Sequence, residues 1–298
     1  MKKPQSKSKA AKSAKPRLYL RHGERIREGL KKIATLQLDA AVEGLRGKNV
    51  SPEPVHHART YIKKTRAILQ LAAPVLNSED RDQMRSLLKE AAQKLSPLRD
   101  SEVQVMSLDL ILEEERLNPE DYSGIRSGLA DIAKQRRLNG IRQIPRVVAS
   151  MKKARKKIPD WDIGSLDAKD LRRRIRRTYR RGRTTLELCQ FNHDPDLFHS
   201  WRKLLKQLWY SIRITGKFWP DEGTKLIGNL EMIGEMAGRE RDLTLLLETL
   251  QHWPKSKTTT HLINVIRERL PVLRKNAIDA GKSFYETRPK DFVESLDL

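Results

Sequence analysis

A histidine followed by basic residues at i+3 and i+7 occurs twice in this chain of 298 residues. The first copy lies in Val55-His56-His57-Ala58-Arg59-Thr60-Tyr61-Ile62-Lys63-Lys64-Thr65-Arg66. The second lies in Phe198-His199-Ser200-Trp201-Arg202-Lys203-Leu204-Leu205-Lys206-Gln207-Leu208-Trp209. On an α-helix these positions share one face. His56, Arg59, Lys63 and Arg66 form one cationic stripe, with Lys64 beside it; His199, Arg202, Lys203 and Lys206 form the other. Converging guanidinium, ammonium and imidazole donors suit a multiply charged anion, since Arg offers paired donors to phosphate oxygens and Lys a point charge.

Each stripe runs beside an apolar one. Val55, Ala58, Ile62, Thr65 and Leu69 accompany the first, and Phe198, Trp201, Leu205, Leu208 and Ile212 the second. A cationic stripe adjacent to the core stripe, rather than opposite it, faces a groove between packed helices. A solvated face is the alternative for one such helix; its recurrence in a second favours a site. The histidines suit phosphate hydrogen bonding, and a bound polyanion would favour their charged form; a structural histidine capping a helix stays open. Neither metal ligation nor acid–base catalysis is supported. The i, i+4 histidine pairing and carboxylates of zinc helices are absent, and no nucleophile or activated water can be located. No catalytic residue, metal ligand or cofactor is therefore assigned.

The helices preceding these stripes are also basic. The densest run is Leu171-Arg172-Arg173-Arg174-Ile175-Arg176-Arg177-Thr178-Tyr179-Arg180-Arg181-Gly182-Arg183. Ile175 and Tyr179 anchor it to a core, which argues against an isolated nucleic-acid tract. Arg173, Arg176, Arg177 and Arg180 join the candidate site, with Arg27 and Lys31 from the first helix. Arg99-Asp100 and Arg241-Asp242 recur at nearly the same offset. Their acids either cap helix starts or orient a neighbouring basic residue; capping is the simpler expectation.

The formal net charge of +23 and isoelectric point near 10.2 call for a polyanionic partner. Residues 1–16, with Lys2, Lys3, Lys7, Lys9, Lys12 and Lys15 and no acid, read as a disordered basic tail. They account for only part of the charge. No apolar segment follows them, so a secretory signal is not expected. Nor does any stretch approach the ~18 apolar residues of a membrane span. The single cysteine, Cys189, precludes an intrachain disulfide and reads as a buried, inert thiol. The expected compartment is the cytoplasm.

Apolar residues recur at three- and four-residue intervals from Leu18 onward, and no strand pattern is present. Helices are expected over about 26–45, 52–74, 78–97, 98–115, 165–190, 195–216, 221–238 and 239–252. A long basic helix is expected over 126–157, and a terminal one over 259–286. The reading is all-α: two pseudo-symmetric four-helix bundles from an internal duplication, with a helical connector and a long C-terminal helix. The bundles are placed at 17–118 and 165–290, the connector at 119–164.

These motifs, taken together from about residue 18 to 290, resemble the CHAD (conserved histidine α-helical domain) family. The resemblance rests on Val55-His56-x-x-Arg59-x-x-x-Lys63-Lys64-x-Arg66, Leu98-Arg99-Asp100, the 171–183 run, the His199 motif through Tyr210, and Arg241-Asp242. It implies basic inner helices lining a central cleft or pore that binds inorganic polyphosphate, and association with polyphosphate granules in some members. The triphosphate-hydrolysing domain carried by many members has a Glu-x-Glu-x-Lys signature. Glu113-Glu114-Glu115-Arg116-Leu117 comes nearest and misplaces the basic residue. The expectation is a stand-alone, non-enzymatic polyphosphate-binding protein. Nucleic-acid binding and metal-dependent phosphohydrolysis are the rivals. Trp209 stands where Arg66 stands in the first half, so the two halves of the site should differ chemically.

Overall fold

The computed structural model describes residues 15–47, 51–192, 194–216 and 222–296. Of the basic tail only Lys15 and Pro16 fall within these limits, and the expected helix start at Pro220-Asp221 falls outside them. The described elements are helical throughout: α1 (Ile26–Gly44), α2 (Pro52–Ala72), α3 (Ser78–Glu114), α4 (Ser123–Ile141), α5 (Ile144–Lys157), α6 (Ala168–Phe191), α7 (Pro195–Thr215), α8 (Glu222–Leu250), α9 (Lys257–Phe284) and α10 (Pro289–Glu294). A 3-10 turn, Pro119–Tyr122, leads into α4.

Several starts obey local chemistry. The Asn77 side chain accepts from the Asp80 amide at 2.8 Å to cap α3. Asp167 and Asp170 form a capping box on α6, and Asp194 accepts from the Asp196 amide at 2.9 Å at the head of α7. Each satisfies an amide that the first helical turn leaves without an intrahelical partner.

Two expected helix breaks do not occur. The helix expected to close at Pro97 runs on as the 37-residue α3, roughly 55 Å long. Pro97 removes one N–H, but it sits in an exposed turn, and Leu95 and Leu98 bury on either side of it. Gly238 likewise lies inside the 29-residue α8. A helical glycine costs about 1 kcal/mol, and burial of Ile233, Ala237, Leu243 and Leu246 outweighs it. Conversely, the basic helix expected over 126–157 is two helices, parting at Arg142-Gln143 with Pro145 in the first turn of α5.

Packing closes two rings of four helices. In one, α1 meets α2, α2 meets α3, α3 meets α5 and α5 returns to α1. In the other, α6, α7, α8 and α9 repeat the same cycle. The fourth helix of the first bundle is thus α5, from the segment read as connector, and that of the second is the terminal long helix. The bundles join through α2, which packs on α6 and α7, and through α3, which packs on α8. The segment before α1 also crosses between them, where the Leu20 amide donates to the Ile214 carbonyl at 2.8 Å.

One apolar core runs through both bundles. The distal halves of α3 and α8 leave it and build a second core with α4 and the start of α9, around Leu108, Ile111, Leu243, Leu246 and Leu262. Gln104 ties the two long helices together, donating to Thr249 Oγ1 at 2.6 Å and to the Leu245 carbonyl at 3.2 Å. Between the two cores, α3 passes through Ser96–Asp100 and α8 through Gly238–Asp242.

Candidate polyanion-binding cleft

The apolar stripes of α2 and α7 behave as their spacing requires. Val55, Ala58, Ile62, Thr65 and Leu69 are buried, and so are Phe198, Trp201, Leu205, Leu208 and Ile212. This fixes the rotation of both helices and turns the adjacent cationic stripes toward α3 and α8. The Arg59 guanidinium donates to Ser96 Oγ at 2.6 Å and pairs with Asp100 at 3.5 Å. On α8, a methyl group added at Gly238 would stand 3.5 Å from Nη2 of Arg202 in α7, and one at Gly234 would stand 3.2 Å from Lys206 Nζ. Arg202 and Lys206 therefore lie along a glycine track on α8, close to its backbone.

Asp100 and Asp242 sit in the interiors of α3 and α8, so neither caps a helix start. Each instead accompanies the arginine of its own half. Asp100 partly offsets the burial that lowers the Arg59 pKa, and Asp242 does the same for Arg202. Burial raises the Asp242 carboxyl; Arg202 and Arg99 oppose that shift, and Asp100 adds to it. Both Arg-Asp pairs thus enter a single field.

The stripes meet across the junction of the bundles. Lys63 stays open to water, yet protein surrounds it closely enough that burial pushes its ammonium down to about 8. Arg59 of its own helix and Arg202 and Lys206 of α7 push it the same way, with Asp100 opposing. Burial also lowers Lys206, with Arg202 adding to the effect and Glu231 and Glu235 opposing it. Lys64 is brought to about 8 by burial and then by Arg213 and Lys15. Like charges are being held together here at a cost, as in sites prepared for the opposite charge.

The histidines flank this centre in matching ways. Burial lowers His56, and Arg99 is the next cause. Burial lowers His199 to about 4, with Lys203, Arg241 and Arg202 contributing. Both imidazoles are therefore neutral at pH 7. His199 Nδ1 and Arg202 Nε are buried and find no hydrogen-bond partner among the described residues. Buried polar atoms in that condition are uncommon, and here both border the cationic stripe.

Some of the other candidate residues are engaged away from this centre, and others are simply exposed. Lys31 donates to the Pro159 carbonyl at 2.7 Å, tying α1 to the end of α5. Arg27 is exposed beside Glu28 at 3.9 Å, and Arg173 pairs with Asp170 at 3.0 Å. Arg66, Arg176, Arg180 and Lys203 are exposed. Arg177 lines a separate cavity with Arg174 and Arg181.

Two contributors, Ser96 and Arg213, carry no signal in the spacing, and Trp209, expected only as a departure from Arg66, holds cations of its own. Lys206 Nζ lies 5.2 Å, and the Arg213 guanidinium carbon 4.7 Å, from the Trp209 ring centroid, within cation–π range. Trp209 stands in the Arg66 position, so the second half replaces a cation with a ring that holds two.

Among the described residues, no group of three or more His, Cys, Asp or Glu could hold a metal ion. No described helix is long and apolar enough to cross a membrane. Cys189 is buried, and burial pushes its thiol up to about 11.

Fold and site together define an all-α protein of two four-helix bundles whose cationic stripes meet at their junction. A family model described as the CHAD domain matches residues 10–251, and the chain belongs to that family. The fold is similar to a crystal structure of the CHAD domain from the plant Ricinus communis: TM-score 0.67 and 17% identity, over 91% of this chain and 94% of that one. It is also similar to PptA from Streptomyces chartreusis: TM-score 0.66 and 13% identity, over 88% of this chain and 99% of that one. No curated protein matches the sequence.

Proposed function

We propose that the chain is a non-enzymatic binder of inorganic polyphosphate, with the polymer lying across the α2–α7 junction. The observation that carries this reading is the convergence of Lys63, Arg202 and Lys206 from both halves of the molecule. They are close enough that, after burial has done so, Arg202 lowers the pKa of both lysines and Lys206 that of Lys63. Asp100 acts against this at Lys63, Asp242 and Glu240 at Arg202, and Glu231 and Glu235 at Lys206. A polymer with about one negative charge per phosphate unit neutralises such a row repeatedly. Arg59 and Arg202 are placed to grip phosphate oxygens through their guanidinium forks, while Lys63 and Lys206 contribute charge. Neutral His56 and His199 each bring one N–H donor, and protonation adds a second. The groups gathered here are cations and N–H donors suited to holding an anion, and binding is the reading they support.

The test is a titration with long-chain polyphosphate at two salt concentrations, for the parent and for Arg59→Glu/Arg202→Glu. The parent should bind with a steep salt dependence, as counterion release requires, and the double variant should lose binding while keeping its helical circular dichroism. A folded double variant that binds as tightly as the parent removes the cleft from consideration. Phosphate release on incubation with divalent metal would overturn the non-enzymatic reading. Nucleic acid that displaces polyphosphate at equal phosphate concentration would overturn the choice of ligand.

A further inference from the structure

A second cationic constellation lies on another face of α6. Arg174, Arg177 and Arg181 repeat the i, i+3, i+7 spacing of the histidine motifs and so share one side of the helix. Opposite them the first turns of α3 bring Arg81 and Arg85, and the five side chains border a cavity of about 380 Å³. That volume falls within the range of small-molecule sites.

The cavity is a built one. Arg174 Nε donates to the Gln70 carbonyl at 3.0 Å, which fixes its guanidinium plane between α6 and the end of α2. Thr178 Oγ1 accepts from Gln207 Nε2 at 3.2 Å, so the wall opposite α3 is polar and ordered. Compensation is sparse. Asp82 lies 3.4 Å from both Arg81 and Arg85. Among the described residues, Arg174, Arg177 and Arg181 pair with no carboxylate. Burial lowers the Arg174 pKa, and the neighbouring charges acting on it are Arg177, Arg85, Arg181 and Arg81, every one a cation. In the cleft, by contrast, each arginine has its aspartate.

We infer that this five-arginine cavity is a separate binding site for a compact, multiply charged phosphoanhydride of two or three phosphoryl groups. Arginine forks match phosphoryl oxygens bidentately. The small volume suits a short anion or the end of a chain rather than the run of a long polymer. No aromatic residue lines the cavity, so nothing there would stack a base, and a nucleotide gains little over its phosphates alone. The inference does not depend on the cleft binding polyphosphate.

Pyrophosphate is the probe. Calorimetric titration should show it binding the parent protein, with affinity falling at least tenfold in Arg177→Gln/Arg181→Gln. These two side chains are exposed, so the exchange leaves the Arg174–Gln70 tie in place. The cleft variant Arg59→Glu/Arg202→Glu should keep pyrophosphate binding. Equal binding by the parent and Arg177→Gln/Arg181→Gln overturns the site, as does its loss in the folded cleft variant alone. Arginine modification by phenylglyoxal gives a second readout on the unmutated protein. Pyrophosphate should protect Arg177 and Arg181, and protection confined to Arg59 and Arg202 would overturn the proposal. Tripolyphosphate and inositol hexakisphosphate in parallel distinguish a linear anhydride from a cyclic polyphosphate ester. Exclusive binding of the ester would overturn the assigned ligand class.

Discussion

Ser96 and Gly238 stand at equivalent turns of α3 and α8, and this one exchange makes the two arginines of the cleft unequal. Arg59 donates to the Ser96 hydroxyl at 2.6 Å, while Arg202 faces a glycine and keeps an unpartnered, buried Nε. The halves of the site agree in charge and differ in how firmly the charge is held.

Ser96→Ala should therefore destabilise the fold without weakening polyphosphate binding. Hydrogen bonds to charged groups contribute about 1.5–3 kcal/mol, and the retained Asp100 contact places the loss near the lower figure. Chemical denaturation should show a lower midpoint with an unchanged slope. A large loss of affinity in this variant would mean that Arg59 must be held by Ser96 to bind at all.

Lys63→Met should stabilise the protein and weaken binding. The folded-state pKa of Lys63 is about 8, below its usual 10.5. The cost of holding the ammonium is fully present below pH 8 and fades as pH rises from 8 toward 10.5. One pKa unit corresponds to about 1.4 kcal/mol. Lys63 is open to solvent, and screening reduces the net gain to about 1 kcal/mol, or about 3 °C in Tm for a domain of this size. The gain should be present at pH 7 and nearly absent at pH 10; an equal gain at both values would assign it to packing.

How much of this was legible follows from which interactions decide each feature. The apolar stripes of α2 and α7 were readable because burial imposes a helical period that no other interaction disguises. The expected stops at Pro97 and Gly238 failed because local propensity of one residue is small beside the burial of Leu95, Leu98, Ala237 and Leu243. The break between α4 and α5 was signalled by Pro145, a proline suited to a first helical turn. The α2 and α7 cations could be placed because their neighbouring core residues fix the rotation. In α6 the arginines surround Ile175 and Tyr179 on several sides, and sequence alone does not say which neighbour each will face. Arg174 and Arg181 were passed over there, although their spacing with Arg177 repeats that of the opening motif.

Polyphosphate affinity should fall above pH 8. Lys63 and Lys64 both have pKa values of about 8. Bound polyanion favours the charged ammonium and raises them. Below pH 8 the unliganded protein already carries these protons, so they add little pH dependence. Above it, binding must recruit protons from solution, and affinity declines until the pKa of the bound state is passed. Each unit by which the polymer raises one of these values is worth about tenfold in affinity at the alkaline limit. Titrations at pH 7 and pH 9.5 at constant ionic strength measure the slope, and Lys63→Met should flatten it. A flat profile in the parent would place these lysines away from the polymer.

His199 acts at the other end of the pH scale. Its folded-state pKa of about 4 lies below the usual 6.5, first through burial and then through Lys203, Arg241 and Arg202. Between pH 6.5 and 4 the unfolded chain binds more protons than the folded one, so the unliganded protein should lose stability as pH falls through that window. Polyphosphate reverses the local field and raises the imidazole pKa. Binding then takes up a proton, and affinity should rise as pH falls from 7 toward 4, by ~10-fold for each unit of upward shift. Both effects originate in one ring, so His199→Gln should reduce both together. Melting temperatures with and without polyphosphate at pH 7 and pH 5 give the two readouts. Unchanged acid sensitivity of both in His199→Gln would show that the ring does not titrate in response to the polymer.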